Sequence, residues 1–240
     1  MPTPRSTPMK LGLHLSSGPT PTNPTPSAAP LPPPLNLPKW LETNSHLLRP
    51  PVNNSILYHH SGTTVMIVGG PNARSDYHIN PTPEWFFQYR GAMVLKVVES
   101  YSNPEDPTVP CREVFRDIPI REGEMFLLPP NTPHNPIRFG NTAGLVIEQD
   151  RPTGMKDKLR WYCPNELCRK VVYEASFYCT DLGSQVKEAV MEFTSRPKEE
   201  RVCEVCRVGV AGEKPVVKDI NMEEKEQRGD DKPMRGCSIM

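Results

Sequence analysis

The part of the sequence that most restricts the fold is residues 63–149, where short apolar runs alternate with turn-forming residues. The first run, residues 63–68, is rich in β-branched side chains and ends at two glycines. Turn-forming Gly, Pro and Asn residues separate the later runs, which are residues 93–98, 114–120, 124–128 and 145–149. Short strands with frequent turn signals and no long helix between them indicate a barrel or a sandwich of strands.

The same region contains two regular spacings of glycines with histidines and acidic residues. Their members are Gly70, Asp76, His78, Glu84 and Gly91, and then Gly123, Pro129, Asn131 and His134. These spacings resemble the two sequence motifs of the cupin superfamily, in which metal ligands converge inside a barrel. The resemblance implies an all-β cupin double-stranded β-helix, also called a jelly-roll barrel, with a few flanking helices and a small C-terminal cysteine-rich unit.

The departures from the cupin pattern indicate the kind of metal site. Asp76 stands where the first cupin histidine usually sits, and Glu84 comes one residue late. We expect Asp76 to point elsewhere, which leaves His78, Glu84 and His134 as ligands. Two histidines and one carboxylate are typical of non-haem Fe(II) oxygenases, in which open positions remain for substrate and O2. The alternative, ordinary polar histidines near turns, does not explain why ligands and glycines fall in register together.

Two arginines are placed on the same strand faces as the two histidines. Arg74 lies four residues before His78, and Arg138 lies four residues after His134. An even separation on a strand puts both side chains on one face. An arginine inside a barrel needs an anionic partner, and a substrate carboxylate can bind it through two hydrogen bonds. The alternative partners are solvent and the chain's own acidic residues, Asp76 and Glu148.

Longer runs carry a more specific resemblance. They are residues 69–80, 83–89, 126–136, 145–148 and 160–163. Together they resemble the 3-hydroxyanthranilate 3,4-dioxygenase family, in its fungal-like form, over about residues 35–210. The resemblance implies an Fe(II)- and O2-dependent ring opening of 3-hydroxyanthranilate to 2-amino-3-carboxymuconate semialdehyde. This reaction feeds quinolinate and NAD biosynthesis from tryptophan through kynurenine.

The resemblance to this family also implies a role for each site residue. The iron ligands would be His78, Glu84 and His134. Glu84 would in addition border the substrate and take part in catalysis. Arg74 would face the O2 position and stabilise the reacting oxygen. Arg138 would bind the substrate carboxylate, and Glu148 would contact the hydroxyl or amino group of the ring and accept the hydroxyl proton.

The seven cysteines predict a second metal site. An odd number without a secretory signal favours reduced intracellular thiols and metal ligation over disulfides. Two close pairs resemble a rubredoxin-like or zinc-ribbon site, which would hold iron or zinc in a structural role. Its ligands would be Cys163, Cys168, Cys203 and Cys206, and the alternative is that these are surface and core thiols. Cys111 and Cys179 are expected to be ordinary thiols.

Two helices are predicted outside the strand region. Asn36 as a cap and Pro38 in the first turn begin one helix, which Pro50 ends. The second helix is predicted over residues 181–196, because apolar residues recur there on one face. Those residues are Leu182, Val186, Ala189, Val190 and Phe193.

Composition limits the partners and the domain organisation. The formal net charge is zero, which argues against nucleic-acid binding, and no apolar run is long enough for a membrane span. Many of the 30 prolines lie near the start, so residues 1–34 are expected to be a disordered extension, with a targeting peptide as the alternative. We expect a cytoplasmic enzyme. After the extension, we expect a catalytic barrel at residues 35–152, a metal-binding unit at residues 153–210 and a disordered charged tail at residues 211–240.

Other interpretations remain open from the sequence alone. Cys237 begins a C-a-a-X ending that suits farnesylation, but the preceding segment is not polybasic, so coincidence is favoured. A homodimer is also left open. The competing functions are a cupin dioxygenase for another aminophenol or catechol, a non-catalytic cupin that binds a carboxylated ligand, and an isomerase or epimerase cupin. Retention of three ligands argues against the non-catalytic class.

Overall fold

A computed structural model describes residues 33–50, 53–72, 74–102 and 111–211. The chain divides into a unit at Met1–Asn36, of which only residues 33–36 are described, and a unit at Leu37–Met240. The described helices and strands all belong to the second unit. Cys237, almost all of the predicted N-terminal extension and nearly all of the charged tail lie outside the described residues, and the predicted domain boundaries stay predictions.

The described part of the second unit contains eleven strands and two α-helices. Helix α1 is Leu37–Asn44, which continues into a 3-10 helix at Ser45–Leu48, and α2 is Leu182–Ser195, with a second 3-10 helix at Lys198–Arg201. The strands are β1 (Asn54–His60), β2 (Thr63–Gly69), β3 (Tyr77–Ile79), β4 (Glu84–Arg90), β5 (Met93–Tyr101), β6 (Arg112–Ile120), β7 (Met125–Leu128), β8 (His134–Arg138), β9 (Ala143–Gln149), β10 (Asp157–Tyr162) and β11 (Val171–Phe177).

The strands form two antiparallel sheets. One has the order β1-β2-β9-β4-β7, and the other has the order β11-β10-β3-β8-β5-β6. The consecutive strands β2 to β9 are therefore divided four to each sheet, in the arrangement of an eight-stranded jelly roll. This topology confirms the predicted all-β jelly-roll barrel.

Apolar side chains from both sheets meet inside the barrel. Burial alternates along β4, so that Glu84, Phe86 and Gln88 all point inward. The main core consists of Met66, Phe86, Leu128 and Val146 from one sheet and Met93, Leu95, Val97 and Ile120 from the other. Polar side chains at the inward-facing positions of these strands are therefore enclosed together with the core, and Glu84 is one of them.

Helix α1 covers part of the outer face of the first sheet. Leu41 and Leu48 pack against Ile67 and Ala143 there. The contact is close at Gly69, where an added Cβ would lie 2.4 Å from the Leu48 carbonyl oxygen. This element confirms the helix predicted to begin near Asn36 and to end before Pro50.

The second sheet continues past the barrel through β10 and β11. Strand β10 pairs with β3 on one side and with β11 on the other. Helix α2 packs on this extension, with the rings of Trp161 and Phe193 stacked at a centroid distance of 4.2 Å. The helix predicted over residues 181–196 is confirmed at Leu182–Ser195. Within the described ranges, no helix combines the length and the apolar character that crossing a membrane requires.

Candidate metal and substrate site

Three buried side chains converge inside the barrel at the positions that the two sequence spacings predict. His78 lies on β3, Glu84 begins β4 and His134 begins β8. Each offers one ligand atom, and these atoms all lie within 4.8 Å of one another. The pairing of β3 with β8 sets His78 directly opposite His134. Strand register therefore explains how two distant histidines meet.

The donor atoms fit a divalent metal ion. Glu84 Oε2 is buried and lies 3.0 Å from His134 Nε2, and within the described ranges no donor forms a hydrogen bond with it. Burial alone would raise the pKa of the Glu84 carboxyl, but nearby His134 and His78 lower it, so the carboxylate stays ionised. Burial lowers the pKa of His134 while Glu84 raises it, and the net shift is upward. A cation can take the place of that proton, and two imidazoles with one carboxylate are a donor set that suits Fe(II).

Each histidine is oriented through one ring nitrogen. His134 Nδ1 lies 3.0 Å from the Thr132 carbonyl oxygen, and His78 Nε2 lies 2.7 Å from Asp157 Oδ2. A carbonyl and an ionised carboxylate can only accept hydrogen bonds, so these two ring nitrogens are the donors. The remaining nitrogen of each ring is then the one that can face a metal.

Asp76 is not part of the three-ligand cluster, although it stands at the position of a cupin histidine. Both of its oxygens accept hydrogen bonds from Arg74, with Nε donating at 3.1 Å. Burial works to raise the pKa of Asp76, but Arg74 lowers it below its usual range. The intramolecular partner considered as an alternative for Arg74 is thus present. The Arg74 side chain is still 32% exposed, and it lies close enough to Glu84 for that charge to raise its pKa.

Arg138 is a buried cation inside the barrel. Its Nη1 donates to Gln88 Oε1 at 3.3 Å and to the Val68 carbonyl oxygen at 3.5 Å, both neutral acceptors. Among the described residues, no carboxylate forms an ion pair with it. Burial lowers its pKa to about 10, although the charge of Glu84 acts in the opposite direction. Gly144 leaves room for this arrangement, because an added Cβ would lie 2.8 Å from Arg138 Nη1.

Glu148 lies on β9, directly opposite Glu84 on β4. Burial, followed by the charge of Glu84, raises the pKa of Glu148 to about 7. Arg151 acts against this shift, and its Nη2 donates to Glu148 Oε2 at 2.8 Å. A buried carboxyl with a pKa near neutrality suits proton transfer.

Two residues of the site, Arg151 and Asp157, were not predicted from the sequence. Arg151 binds both Glu148 and Asp157, and Asp157 binds His78. The sequence does carry a signal, because Asp157 alternates with the apolar Leu159 and Trp161, and all three are buried on one face of β10. A charged residue at a core position of a strand indicates a buried partner.

The four cysteines predicted as a second site also converge. Their sulfur atoms lie within 4.8 Å of one another. Cys163 Sγ lies 3.3 Å from Cys206 Sγ, and Cys168 Sγ lies 3.6 Å from Cys203 Sγ. The second cysteine of each pair that is close in sequence is followed by a residue with positive φ. These residues are Arg169, after Cys168, and Arg207, after Cys206. Cys111 is exposed and Cys179 is partly buried, and neither belongs to the cluster.

Comparison with known proteins assigns the family. A family model described as 3-hydroxyanthranilic acid dioxygenase matches residues 31–194. A 3-hydroxyanthranilate 3,4-dioxygenase of Podospora anserina is 57% identical over 194 residues, covering 80% of this chain and 97% of that protein. The enzyme of the same name from Aspergillus niger is 59% identical over 183 residues, covering 74% and 92%. A solved cupin-2 domain protein of Shewanella frigidimarina has 14% identity and a TM-score of 0.29, covering 40% and 78%. The chain therefore belongs to the 3-hydroxyanthranilic acid dioxygenase family.

Proposed function

We propose that this protein is a 3-hydroxyanthranilate 3,4-dioxygenase, which uses Fe(II) and O2 to open the aromatic ring. The product would be 2-amino-3-carboxymuconate semialdehyde, which leads to quinolinate and NAD. Its family membership and the names of its curated relatives support this substrate. The cytoplasmic location stays a prediction, and a homodimer stays an open possibility.

The observation that carries the proposal is that Arg138 is buried in the barrel, close enough to the ligand Glu84 for that charge to act on its pKa. A buried guanidinium without a carboxylate partner is costly, because its charge has lost water and gained no counter-ion. A substrate carboxylate would balance this charge through two parallel hydrogen bonds. A catechol or an aminophenol without a carboxylate would leave the charge unbalanced. The site therefore favours a carboxylated aromatic substrate.

His78, Glu84 and His134 would hold the iron. When bound, iron would allow O2 and the aromatic ring, which react poorly with each other, to exchange electrons through one centre. Glu148 would accept the proton of the substrate hydroxyl group, since its pKa of about 7 keeps it able to do so near neutral pH. The enclosed apolar core would exclude water from these groups.

Arg74 is proposed to face the oxygen-binding position. Asp76 fixes its guanidinium through Nε and Nη2, which leaves Nη1 without a hydrogen bond among the described residues. A fixed donor of this kind can stabilise negative charge that develops on a reacting oxygen. Its partial exposure is compatible with O2 reaching the site from solvent.

We propose a second metal, iron or zinc, in the cysteine cluster. Four sulfur atoms within 4.8 Å of one another match the ligand number of a closed tetrahedral site. The cluster joins the segment after β10 to the segment after α2, since Cys163 and Cys203 lie in those two segments. The metal would therefore have a structural role in this part of the chain.

The test of the proposed function is turnover after anaerobic loading with Fe(II). The loaded protein would be mixed with 3-hydroxyanthranilate and O2, while oxygen uptake and product absorbance are followed together. We expect uptake and product to appear in equal amounts, since both oxygen atoms enter the product. A matched reaction with 2-aminophenol, which lacks the carboxylate, should be much slower. Equal rates for the two compounds would favour a dioxygenase for another aminophenol, and no uptake with loaded iron would favour a non-catalytic cupin.

A further inference from the structure

Arg151 uses all of its hydrogen-bond donors within the protein. Its side chain is 7% exposed. Nε and Nη2 donate to the two oxygens of Asp157, each at 2.8 Å, and Nη2 also donates to Glu148 Oε2 at 2.8 Å. Nη1 donates to the Gln149 carbonyl oxygen at 2.9 Å and to Thr82 Oγ1 at 3.2 Å. A guanidinium has five N–H donors, so none remains for a substrate.

One end of this network reaches a predicted iron ligand. Asp157 is fully buried, and its Oδ2 accepts from Arg151 Nη2 while lying 2.7 Å from His78 Nε2. The arginine fixes the carboxylate, and the carboxylate fixes the rotation and tautomer of the imidazole. Carboxylates that hold metal-binding histidines in this way set the affinity of the site for its metal.

The other end of the network reaches the predicted proton acceptor. Arg151 binds one oxygen of Glu148, which limits the directions in which the carboxyl can turn. Thr82, a further partner, lies two residues before Glu84, the first residue of β4. The guanidinium therefore contacts three separate segments that each supply or orient a group of the site.

We propose that Arg151 is a positioning residue for the dioxygenase reaction, and that it aligns the iron ligand His78 through Asp157 and the proton acceptor Glu148 directly. This inference rests on the proposed function for the role of Glu148. It assigns Arg151 no contact with substrate, which distinguishes it from Arg138. Arg138 binds only neutral groups among the described residues, and Arg151 binds two carboxylates.

The competing interpretation is that Arg151 forms a purely structural ion pair. A purely structural residue would change the stability of the protein without changing the affinity of the folded catalytic site for its metal. The discriminating quantity is therefore the affinity of the catalytic site for a metal, measured without turnover. Mn(II) is a suitable probe because oxygen and imidazole ligands bind it and thiolates do not favour it, so the cysteine cluster interferes little.

The full-length apoprotein and its Arg151→Gln variant would be titrated with Mn(II) and followed by electron paramagnetic resonance. We expect the variant to bind Mn(II) about 10- to 100-fold more weakly, which is the usual effect of removing a group that orients a ligand. We also expect kcat to fall after iron loading under saturating Fe(II), because Glu148 loses its tether. Arg138→Gln is the matched control, since it removes an equally enclosed arginine. It should raise KM and leave the Mn(II) affinity unchanged.

A second variant keeps the test decisive if Arg151→Gln does not fold, as judged by its thermal melting. Arg151→Lys retains the charge but can bind only one of the two carboxylates at a time. We expect it to recover part of the Mn(II) affinity while kcat stays below that of the wild type. Wild-type Mn(II) affinity and kcat in a folded Arg151 variant would overturn the proposal, and so would an equal loss of affinity in Arg138→Gln. Failure of the wild type to oxidise 3-hydroxyanthranilate would instead reject the proposed function, because the Mn(II) comparison requires no turnover.

Discussion

Glu84 and Glu148 face each other directly across the paired strands β4 and β9, and both are buried. The two carboxyls have opposite pKa shifts. Nearby His134 and His78 overcome burial at Glu84 and lower its pKa, whereas burial and the charge of Glu84 raise the pKa of Glu148 to about 7. One carboxyl is thus held as an anion, as the proposed metal ligand requires, and the other has a pKa near neutrality, as the proposed proton acceptor requires.

The first prediction concerns Glu148→Gln, which keeps the size of the side chain and removes its ability to accept a proton. We expect kcat to fall by about 100-fold or more, in line with the usual contribution of a positioned general base. Iron content should stay at the wild-type level, because Glu84 remains in place. Steady-state kinetics and iron analysis on the same preparation check this. Wild-type kcat in the variant would remove Glu148 from the proton-transfer role.

The second prediction concerns the ligands. His78→Ala and His134→Ala should each abolish iron binding at the catalytic site and all oxygen uptake, because only two of three donors remain. Asp76→Asn is the matched control, since its carboxylate binds Arg74 and not the cluster. The control should retain its iron. An active His134→Ala protein without metal would contradict the iron assignment.

The third prediction concerns Arg138→Gln. A charged hydrogen bond contributes about 1.5–3 kcal/mol, so its loss should raise KM for 3-hydroxyanthranilate by about 10- to 100-fold. Turnover of 2-aminophenol, however slow, should not change, because that compound has no carboxylate for Arg138 to bind. Comparing KM for the two compounds in wild type and variant provides the measurement. An equal effect on both would show that Arg138 acts on the fold of the site and not on the carboxylate.

The sequence predicted the barrel and the ligands because their signals are local. Apolar alternation and turn residues indicate strands, and the spacing around His78 and His134 depends on one strand and its turn at a time. Strand β3 escaped prediction because its three residues give no periodicity. Arg151 and Asp157 escaped for a different reason. Asp157 reaches His78 through the pairing of β10 with β3, and Arg151 acts on His78 only through Asp157. The domain boundary predicted after residue 152 separates Arg151 from Asp157.

The fourth prediction concerns Gly144→Ala. An added Cβ would lie 2.5 Å from Gln88 Oε1 and 2.8 Å from Arg138 Nη1, so at least one of these side chains must move. We expect a raised KM with unchanged iron content, because the iron ligands do not contact this position. Gly140→Ala is the matched control, since nothing lies within 4 Å of an added Cβ there. An unchanged KM in Gly144→Ala would show that Arg138 can shift without affecting substrate binding.

The last prediction concerns the cysteine cluster. Cys203→Ser should remove the second metal, because one of the four convergent sulfur atoms is lost and a hydroxyl is a poor substitute for a thiolate. The melting temperature should fall by about 2–4 °C for each 1 kcal/mol of lost stability. Cys111→Ser is the control, because that thiol is exposed and outside the cluster, and it should change neither metal content nor melting temperature. Iron at the His78 site should persist in both variants, as measured by metal analysis alongside Mn(II) affinity. The cysteine cluster connects the segments that follow β10 and α2 and contains none of the proposed iron ligands. Loss of the catalytic iron in Cys203→Ser would therefore mean that the cluster controls the position of Asp157 on β10.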